Sequence, residues 1–465
     1  MFVARYHHPD DGTLQGLAAI MQGGCVVGSI LASWAADRFG RRRSILCSML
    51  LVALSGIVLL LPAVFTENDA LAVLFVGRML SGVGGGLACA VVPLHVSEVA
   101  PAAHRGAIET SFQLAIELGI LAAYALNLGL SGTPLGWCMS LAAELPPAVA
   151  FLCWALLRLP ESPRYLMMHA DEAAAEQTLS ALRTRHDDVS AELDAIRAEV
   201  RDPRMRQGRW SELLRREHRA PVLIAIVVLT LQVATGIDFV TVYAPRLFGQ
   251  IANATGGVDE AALLHGAGGD AAVNGAARTQ LLYTLLVGVV FVVVTPFAIA
   301  SVDRCGRRVL LLLGGGGMTL SLTGLAFGYH AALAAPAGGG SSAWPTLCVV
   351  LLLSFVACFS FSWGPVAWVI PSELVAYQVR AKVVALGTVC NWVADYTVVG
   401  SFLSLTNAVG EAGGFATFAV INAAAFAFVF FLVPETKGRA LEARQVDPTT
   451  AAGVDSVVVV PAPGP

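Results

Sequence analysis

Long apolar runs dominate the sequence and limit what the chain can fold into. Eleven segments of about 20 residues carry few charges, and they lie near 14–36, 44–65, 71–94, 107–130, 136–158, 221–245, 280–302, 309–330, 345–370, 383–406 and 413–433. A bilayer core about 30 Å thick is crossed by roughly 20 apolar helical residues. Membrane strands are shorter and alternate apolar with polar residues. With 56% hydrophobic residues, 13% charged residues and a mean hydropathy of +0.70, the chain is predicted to be an all-α integral membrane protein.

Basic residues fall mainly on one side of these segments. Of the 29 Lys and Arg residues, 25 lie on the side that holds the C-terminus. Because cytoplasmic loops are enriched in Lys and Arg, we predict a cytoplasmic C-terminus and, with eleven spans, an outside N-terminus. We favour the plasma membrane over an organelle. Residues 443–465 are predicted to be a disordered cytoplasmic tail.

The sequence consists of two similar halves. A charged stretch, 159–220, has the composition of short amphipathic cytoplasmic helices and separates an N-terminal bundle, 1–158, from a C-terminal bundle, 221–442. The motif "DRFGRR" at 37–42 returns as "DRCGRR" at 303–308, "SEV" at 97–99 returns as "SEL" at 372–374, and "PESPR" at 160–164 returns loosely as "PETKGR" at 434–439. The offsets of 266, 275 and 274 residues indicate a parallel repeat, which is typical of a rocking transporter.

The repeated motifs place opposite charges at helix ends on the cytoplasmic side. If these charges pair across the two halves, they hold an inner gate closed. Exposed ion pairs contribute about 0–1 kcal/mol each, but a network can decide which of two states dominates. The candidate gate residues are Asp37, Arg41, Arg42, Glu98, Arg105, Glu161 and Arg164 in the first half, and Asp303, Arg307, Arg308, Glu373, Arg380, Glu435 and Arg439 in the second.

The order of the motifs resembles the sugar porter family of the major facilitator superfamily. The resemblance rests on "DRFGRR", "GRMLSGVGGG" (77–86), "PLHVSEVAPAAHRG" (93–106), "PESPRYL" (160–166), "DRCGRR", "SWGPVAWVIPSEL" (362–374) and "VPETKGR" (433–439). It implies the fold of that family, two six-helix bundles, of which about eleven helices are present. The family's first helix is then absent, which indicates either an error at the start of the gene model, as we favour, or a truncated protein.

The resemblance also implies a set of sugar ligands. Amide groups suit sugar hydroxyls, which both donate and accept hydrogen bonds, and aromatic rings pack against the C–H face of a sugar. The matching positions are Gln113, Gln232, Trp368, Asn391 and Trp392.

Acidic residues depart from the family pattern at three nearby positions. Asp238 and Asp395 stand where the family has Asn, and Glu117 lies one helical turn after Gln113 on the same face. The Asn of the family's eighth helix is Phe291. A charge at mid-bilayer costs about 2.5–3.5 kcal/mol on insertion scales, so such residues usually face a cavity and carry function. We therefore include all three carboxylates among the candidate substrate ligands.

Arg78 and Glu144 resemble two of the three groups that couple protons in some sugar porters. The third, a carboxylate on the first helix, is not in this sequence. Proton coupling is therefore left open at this point.

Three functions fit these features. The first is transport of a hexose or polyol by alternating access, either proton-coupled or facilitative. The second is transport of a cationic or amino-bearing solute, because the three carboxylates would offset its desolvation. The third is a nutrient sensor that does not transport. An enzyme is not expected, because the sequence shows no nucleophile with a base, no metal-ligand spacing and no phosphate loop. The expected partners are a small solute, protons and the lipid bilayer, with no cofactor, metal or nucleic acid.

Overall fold

The regular structure consists of helices. The computed structural model describes residues 11–64, 67–101, 105–131, 133, 135–183, 188–201, 210–242, 270–334, 343–375 and 377–437, and no strand occurs within these ranges. The helices are α1 (Asp11–Phe39), α2 (Arg41–Val58), α3 (Glu67–Val99), α4 (Arg105–Leu130), α5 (Gly136–Leu141), α6 (Leu145–Arg158), α7 (Pro163–Met168), α8 (Glu172–Leu182), α9 (Val189–Arg201), α10 (Arg216–Ala234), α11 (Asp270–Cys305), α12 (Arg307–Ala334), α13 (Ala343–Phe361), α14 (Trp363–Leu374) and α15 (Tyr377–Leu432).

Ten helical stretches of the described chain are long and apolar enough to span a membrane. The last of them, Gln378–Leu432, has 55 residues. At 1.5 Å per residue it would extend about 80 Å, far more than a bilayer core. Gly410 interrupts it with φ 71° and ψ 169°, a conformation that favours glycine and divides α15 into two helices. Counted in this way, the eleven spans expected from the sequence are confirmed.

Helices α1 and α3 of the first half approach each other through glycines. A Cβ on Gly24 would lie 2.9 Å from the Cα of Gly82, and a Cβ on Gly86 would lie 2.6 Å from the Cα of Cys25. Small residues at such spacing let two backbones pack directly on each other inside a membrane.

Aromatic side chains fill the core of the second half. The ring centroid of Phe239 lies 4.7 Å from that of Phe402, 5.5 Å from that of Phe415 and 4.8 Å from that of Phe418. These rings join the residues that follow α10 to both halves of α15. The centroid distances fall in the range that aromatic pairs prefer.

Within the described residues, two helix pairs make the most extensive contacts between the halves. Helix α1 packs along α15, where a Cβ on Gly400 would lie 3.2 Å from the Cβ of Ala19, and α4 packs along α11, where a Cβ on Gly288 would lie 3.1 Å from the Cα of Leu121. Each of these contacts joins one helix of the first half to one helix of the second half.

Helices α8 and α9 form a small packed unit in the charged stretch between the halves. Ala175 and Leu179 of α8 and Leu193 and Ile196 of α9 are buried against each other. Arg183 pairs with Glu192 at 2.6 Å and also donates to the carbonyl of Val99, 3.1 Å away at the end of α3. The unit is therefore attached to the first half.

Candidate substrate-binding site

A break after α10 shapes one side of the candidate site. Gly236 has φ 91°, and a Cβ on it would lie 2.7 Å from the ring of Phe418. Asn422 donates from Nδ2 to the carbonyl of Thr235 at 2.8 Å, which satisfies a backbone group at the break. The chain resumes as helix over 237–242. Asp238 lies in this short helix, so its position depends on the break.

Two predicted ligands meet directly in the second half. Asn391 donates from Nδ2 to Oε1 of Gln232 at 2.9 Å and to the carbonyl of Leu229 at 2.8 Å. Both side chains are buried. The contact joins α10 to α15 and orients the two amides relative to each other.

The first half contributes Gln113 and Glu117 on one face of α4. Gln113 Nε2 donates to Glu117 Oε1 at 3.2 Å, and this nitrogen lies 3.4 Å from the position that a Cβ on Gly364 of α14 would occupy. Glu117 is 1% exposed, and its Oε2 has no hydrogen-bond partner in the described part of the chain. Thr295 of α11 lies beside this carboxylate, and its hydroxyl is a hydrogen-bonding group close at hand for Glu117. Because buried polar atoms are normally paired, these atoms mark a place where a ligand can bind.

The structure brings Asp238 and Asp395 close enough to repel each other electrostatically. Asp395 is 4% exposed, and its Oδ1 makes no hydrogen bond to any described residue. The Asp238 carboxylate lies 3.5 Å from the hydroxyl of Thr241, which is its hydrogen-bond donor. The two acidic departures from the family pattern therefore belong to one local cluster.

The two predicted indoles lie on different helices of the second half. The ring of Trp368 on α14 packs edge-on against Phe112 of α4, with centroids 6.4 Å apart, so this aromatic pair crosses between the halves. Trp392 follows Asn391 on α15, and its buried Nε1 has no partner within the described residues. An indole N–H of this kind can donate to a ligand oxygen.

Sequence reasoning missed two polar residues at the site. Tyr124 of α4 donates from its hydroxyl to the carbonyl of Thr241 at 2.8 Å, and so links the first half to the short helix 237–242. Thr295 lies one turn after Phe291, the position where the resemblance pointed to an Asn. A search for single polar residues in apolar runs, such as "FVVVTPFAIA" at 291–300, would have found Thr295.

Arg78 and Glu144 lie in a separate polar cluster of the first half. Glu144 accepts hydrogen bonds from the hydroxyls of Ser55 and Ser81. Arg78 donates to the carbonyl of Ala18 at 3.2 Å and attracts Glu144 electrostatically, but the two form no ion pair within 4.0 Å.

The repeated charged motifs of the first half form one compact network. The Arg41 guanidinium donates to both oxygens of Glu98, at 2.9 and 2.8 Å, and lies 3.9 Å from Asp37. Glu161 accepts from the backbone N–H groups of Arg41 and Arg42, at 2.9 and 3.1 Å. The network joins the ends of α1, α2 and α3 to the segment after α6.

The second half repeats this network. Arg307 donates to Glu373 at 2.8 Å, and Glu435 accepts from the backbone N–H groups of Arg307 and Arg308, at 2.9 and 3.2 Å. Partial burial raises the pKa of Glu435, but hydrogen bonds from four backbone N–H groups outweigh that effect and lower its pKa below the ordinary value. The repeat detected in the sequence therefore has the same geometry in both halves.

These pairs correct one expectation. The sequence suggested pairing across the two halves, but Arg41 pairs with Glu98 and Arg307 pairs with Glu373, each within its own half. The physical reason is that the Arg41 guanidinium is buried and the Arg307 guanidinium is partly buried among the helix ends of its own bundle, each beside the carboxylate that follows it in the repeat. Arg164 and Arg380 stay predicted gate residues. The side chains of Arg105, Asp303 and Arg439 lie outside the described residues.

Comparisons with known proteins agree with this architecture. A family model described as "Sugar (and other) transporter" matches residues 4–447. The probable polyol transporter 6 of Arabidopsis thaliana is 33% identical over 463 residues, which cover 95% of this chain and 87% of that protein. The D-xylose transporter of Levilactobacillus brevis is 31% identical over 427 residues, which cover 90% of this chain and 84% of that protein.

Solved structures show the same fold. The partially occluded inward-open conformation of the xylose transporter XylE from E. coli is similar with a TM-score of 0.74 and 26% identity, over 92% of this chain and 89% of that chain. The proton:xylose symporter XylE bound to 6-bromo-6-deoxy-D-glucose gives a TM-score of 0.73 and 27% identity, over 95% of this chain and 90% of that chain. Together with the repeated charge networks, these matches show that the chain belongs to the sugar transporter family of the major facilitator superfamily and is a multi-pass membrane transporter, not an enzyme.

Proposed function

We propose that the protein transports a hexose or a polyol by alternating access. The observation that carries this proposal is that buried amides of both halves make contacts between helices: Gln113 of α4 approaches Gly364 of α14, and Gln232 of α10 is hydrogen-bonded to Asn391 of α15. Amides pair with the donor and acceptor functions of sugar hydroxyls. Polyol and D-xylose transporters among the relatives support the same substrate class.

Alternating access needs each half to move as a unit. The networks around Arg41 and Arg307 tie helix ends together within one half, so we assign them the role of keeping each bundle rigid. The substrate site lies between the halves, where rocking changes the side from which it is reached.

A second candidate is an amino-bearing solute. It is favoured by one observation, the presence of Glu117, Asp238 and Asp395 at the site without an ion pair to a described residue. A positive charge on the solute would offset the cost of burying these carboxylates. Asp238→Asn tests the idea: it should abolish glucosamine uptake and leave glucose uptake in place, and an improvement in sugar uptake with no other loss would exclude the amine.

We propose the plasma membrane as the location and the cytoplasm as the side of the C-terminus. The distribution of 25 of 29 basic residues supports the orientation.

Purified protein in proteoliposomes provides the test. Entrance counterflow should be measured with D-glucose, D-xylose, myo-inositol and glucosamine. We expect counterflow of a neutral sugar or polyol. Gln232→Ala should reduce it, whereas Thr397→Val, on the exposed face of α15, should not. Retained binding without counterflow of any of these solutes would instead indicate a sensor and overturn the proposal.

A further inference from the structure

Asp238 and Asp395 lie in a stretch where two elements of the second half run side by side. The contact between Gln232 and Asn391, at 2.9 Å, lies before them, and the ring contact between Phe239 and Phe402, at 4.7 Å, lies beyond them. Both carboxylates are therefore held between two fixed contacts. Their mutual approach is a property of the fold and not of a flexible surface.

The pair has an unsatisfied oxygen in a buried setting. Asp395 is 96% buried, since it is 4% exposed, and its Oδ1 has no hydrogen-bond partner in the described chain. Two carboxylates that share a site of low dielectric constant cannot both stay ionised at little cost. A proton on one of them removes the repulsion and supplies the hydrogen that the free oxygen lacks.

No positive charge faces the pair from the described residues. The titratable groups that interact with it are Cys25 of α1, beside Asp395, and Tyr124 of α4, beside Asp238. Neither group carries a positive charge. The pair thus differs from the Arg78 and Glu144 cluster, where an arginine already compensates the carboxylate.

We propose that Asp238 and Asp395 together bind the proton that is transported with the solute. The proposal rests on the transport function proposed above and adds the site and the coupling ion. A metal cation fits less well, because Ca²⁺ takes six to eight oxygen ligands and Mg²⁺ demands an octahedral shell.

The position of the pair links its protonation to rocking of the halves. Asp238 lies two residues after Gly236, in the short helix that Tyr124 of the first half holds through the carbonyl of Thr241. The helix that carries Asp238 is therefore in direct contact with the half that moves during rocking.

The cycle balances with one proton per solute. On the outer side an O–H bond forms between the pair and a proton from water, and the solute binds. After the halves rock, that O–H bond breaks on the inner side, and the proton enters the internal water together with the released solute. The empty transporter then returns with both carboxylates ionised. A return with a proton still bound to the pair would give no net coupling.

The test separates exchange from accumulation. Proteoliposomes with an internal pH one unit above the external pH support at most about tenfold accumulation with one proton per solute, since each pH unit is a tenfold difference in proton activity. D-glucose, D-xylose and sorbitol are used as probes, and pyranine inside the vesicles reports proton entry. Wild type should accumulate the solute that it exchanges. Asp395→Asn should lose accumulation and solute-dependent proton entry at whatever rate of counterflow it retains.

Further variants distinguish loss of the proton site from general damage to the protein. Asp395→Glu retains a titratable group and should restore accumulation, whereas Thr397→Val on the same helix should behave as wild type. If Asp395→Asn also loses counterflow, Asp238→Asn replaces it and should show the same separation. The proposal would be overturned if both Asn variants accumulated the solute at the wild-type level. It would also be overturned if Glu144→Gln were the variant that lost accumulation. Absence of neutral-solute counterflow in wild type would instead refute the proposed function.

Discussion

The close approach of α1 and α3 can be tested with two adjacent glycines. A Cβ on Gly86 would lie 2.6 Å from the Cα of Cys25, whereas the nearest atom to a Cβ on Gly85 is the Cys25 sulfur at 3.8 Å. We therefore compare Gly86→Ala with Gly85→Ala. The two variants share one helix, one added methyl group and one gain in helix propensity.

The expected magnitudes follow from these distances. An ordinary contact needs at least 3.4 Å. The added Cβ lies 2.6 Å from the Cα of Cys25 and closer still to its carbonyl oxygen, so Gly86→Ala must separate the two backbones by more than about 0.8 Å. Overpacking of this kind costs about 1–3 kcal/mol, and a backbone has less freedom to adjust than a side chain. Gly85→Ala meets an ordinary contact and should be neutral or stabilising by up to about 1 kcal/mol.

The unfolding temperatures of the two variants are compared in detergent. Size-exclusion chromatography of the heated protein reports how much of each variant stays folded. Gly86→Ala should unfold several degrees below Gly85→Ala and transport more slowly at equal amounts of protein. Equal unfolding temperatures would show that α1 and α3 do not pack as closely as described, and the reasoning would fail.

Three further results are expected. Because hydrogen bonds lower the pKa of Glu435 in the folded protein, its carboxylate stabilises the fold above the ordinary Glu pKa, and this contribution is lost as pH falls through the lowered value. Glu435→Gln should therefore melt about 2–4 °C below wild type at pH 7, and this difference should shrink as the pH is lowered below the ordinary Glu pKa; a constant difference would contradict this account. Gln232→Ala should raise KM for the transported sugar about 3- to 10-fold in counterflow, in line with the loss of one hydrogen bond, with kcat within about twofold; an unchanged KM would remove Gln232 from the site. Gly236→Ala should slow counterflow far more than Gly410→Ala, because both residues have positive φ but only a Cβ on Gly236 would meet Phe418; similar rates in the two variants would argue against a tight break after α10.

Part of the candidate site was accessible from the sequence. Gln232 and Asn391 were found by matching motifs, and their hydrogen bond agrees with a shared site. Thr295 and Tyr124 were not found, because a single hydroxyl in an apolar helix has no motif and acquires its role only from what packs beside it. The partners of Arg41 and Arg307 were also misjudged, since charges on one face of the membrane can pair within a bundle or between bundles, and spacing along the chain does not distinguish the two.

Composition and periodicity alone determined the class of fold. A chain with eleven apolar runs of bilayer length has to form helices, because backbone groups in lipid must be paired within the segment, and three motifs at nearly constant offsets require two similar halves. Tertiary structure decided what the acidic residues do together. Asp238 and Asp395 are 157 positions apart in the sequence, and they interact only because the break at Gly236 and the contacts on either side of it bring α10 and α15 together. Electrostatic coupling depends on the distance between the two groups and on their burial, and the sequence alone gives neither quantity.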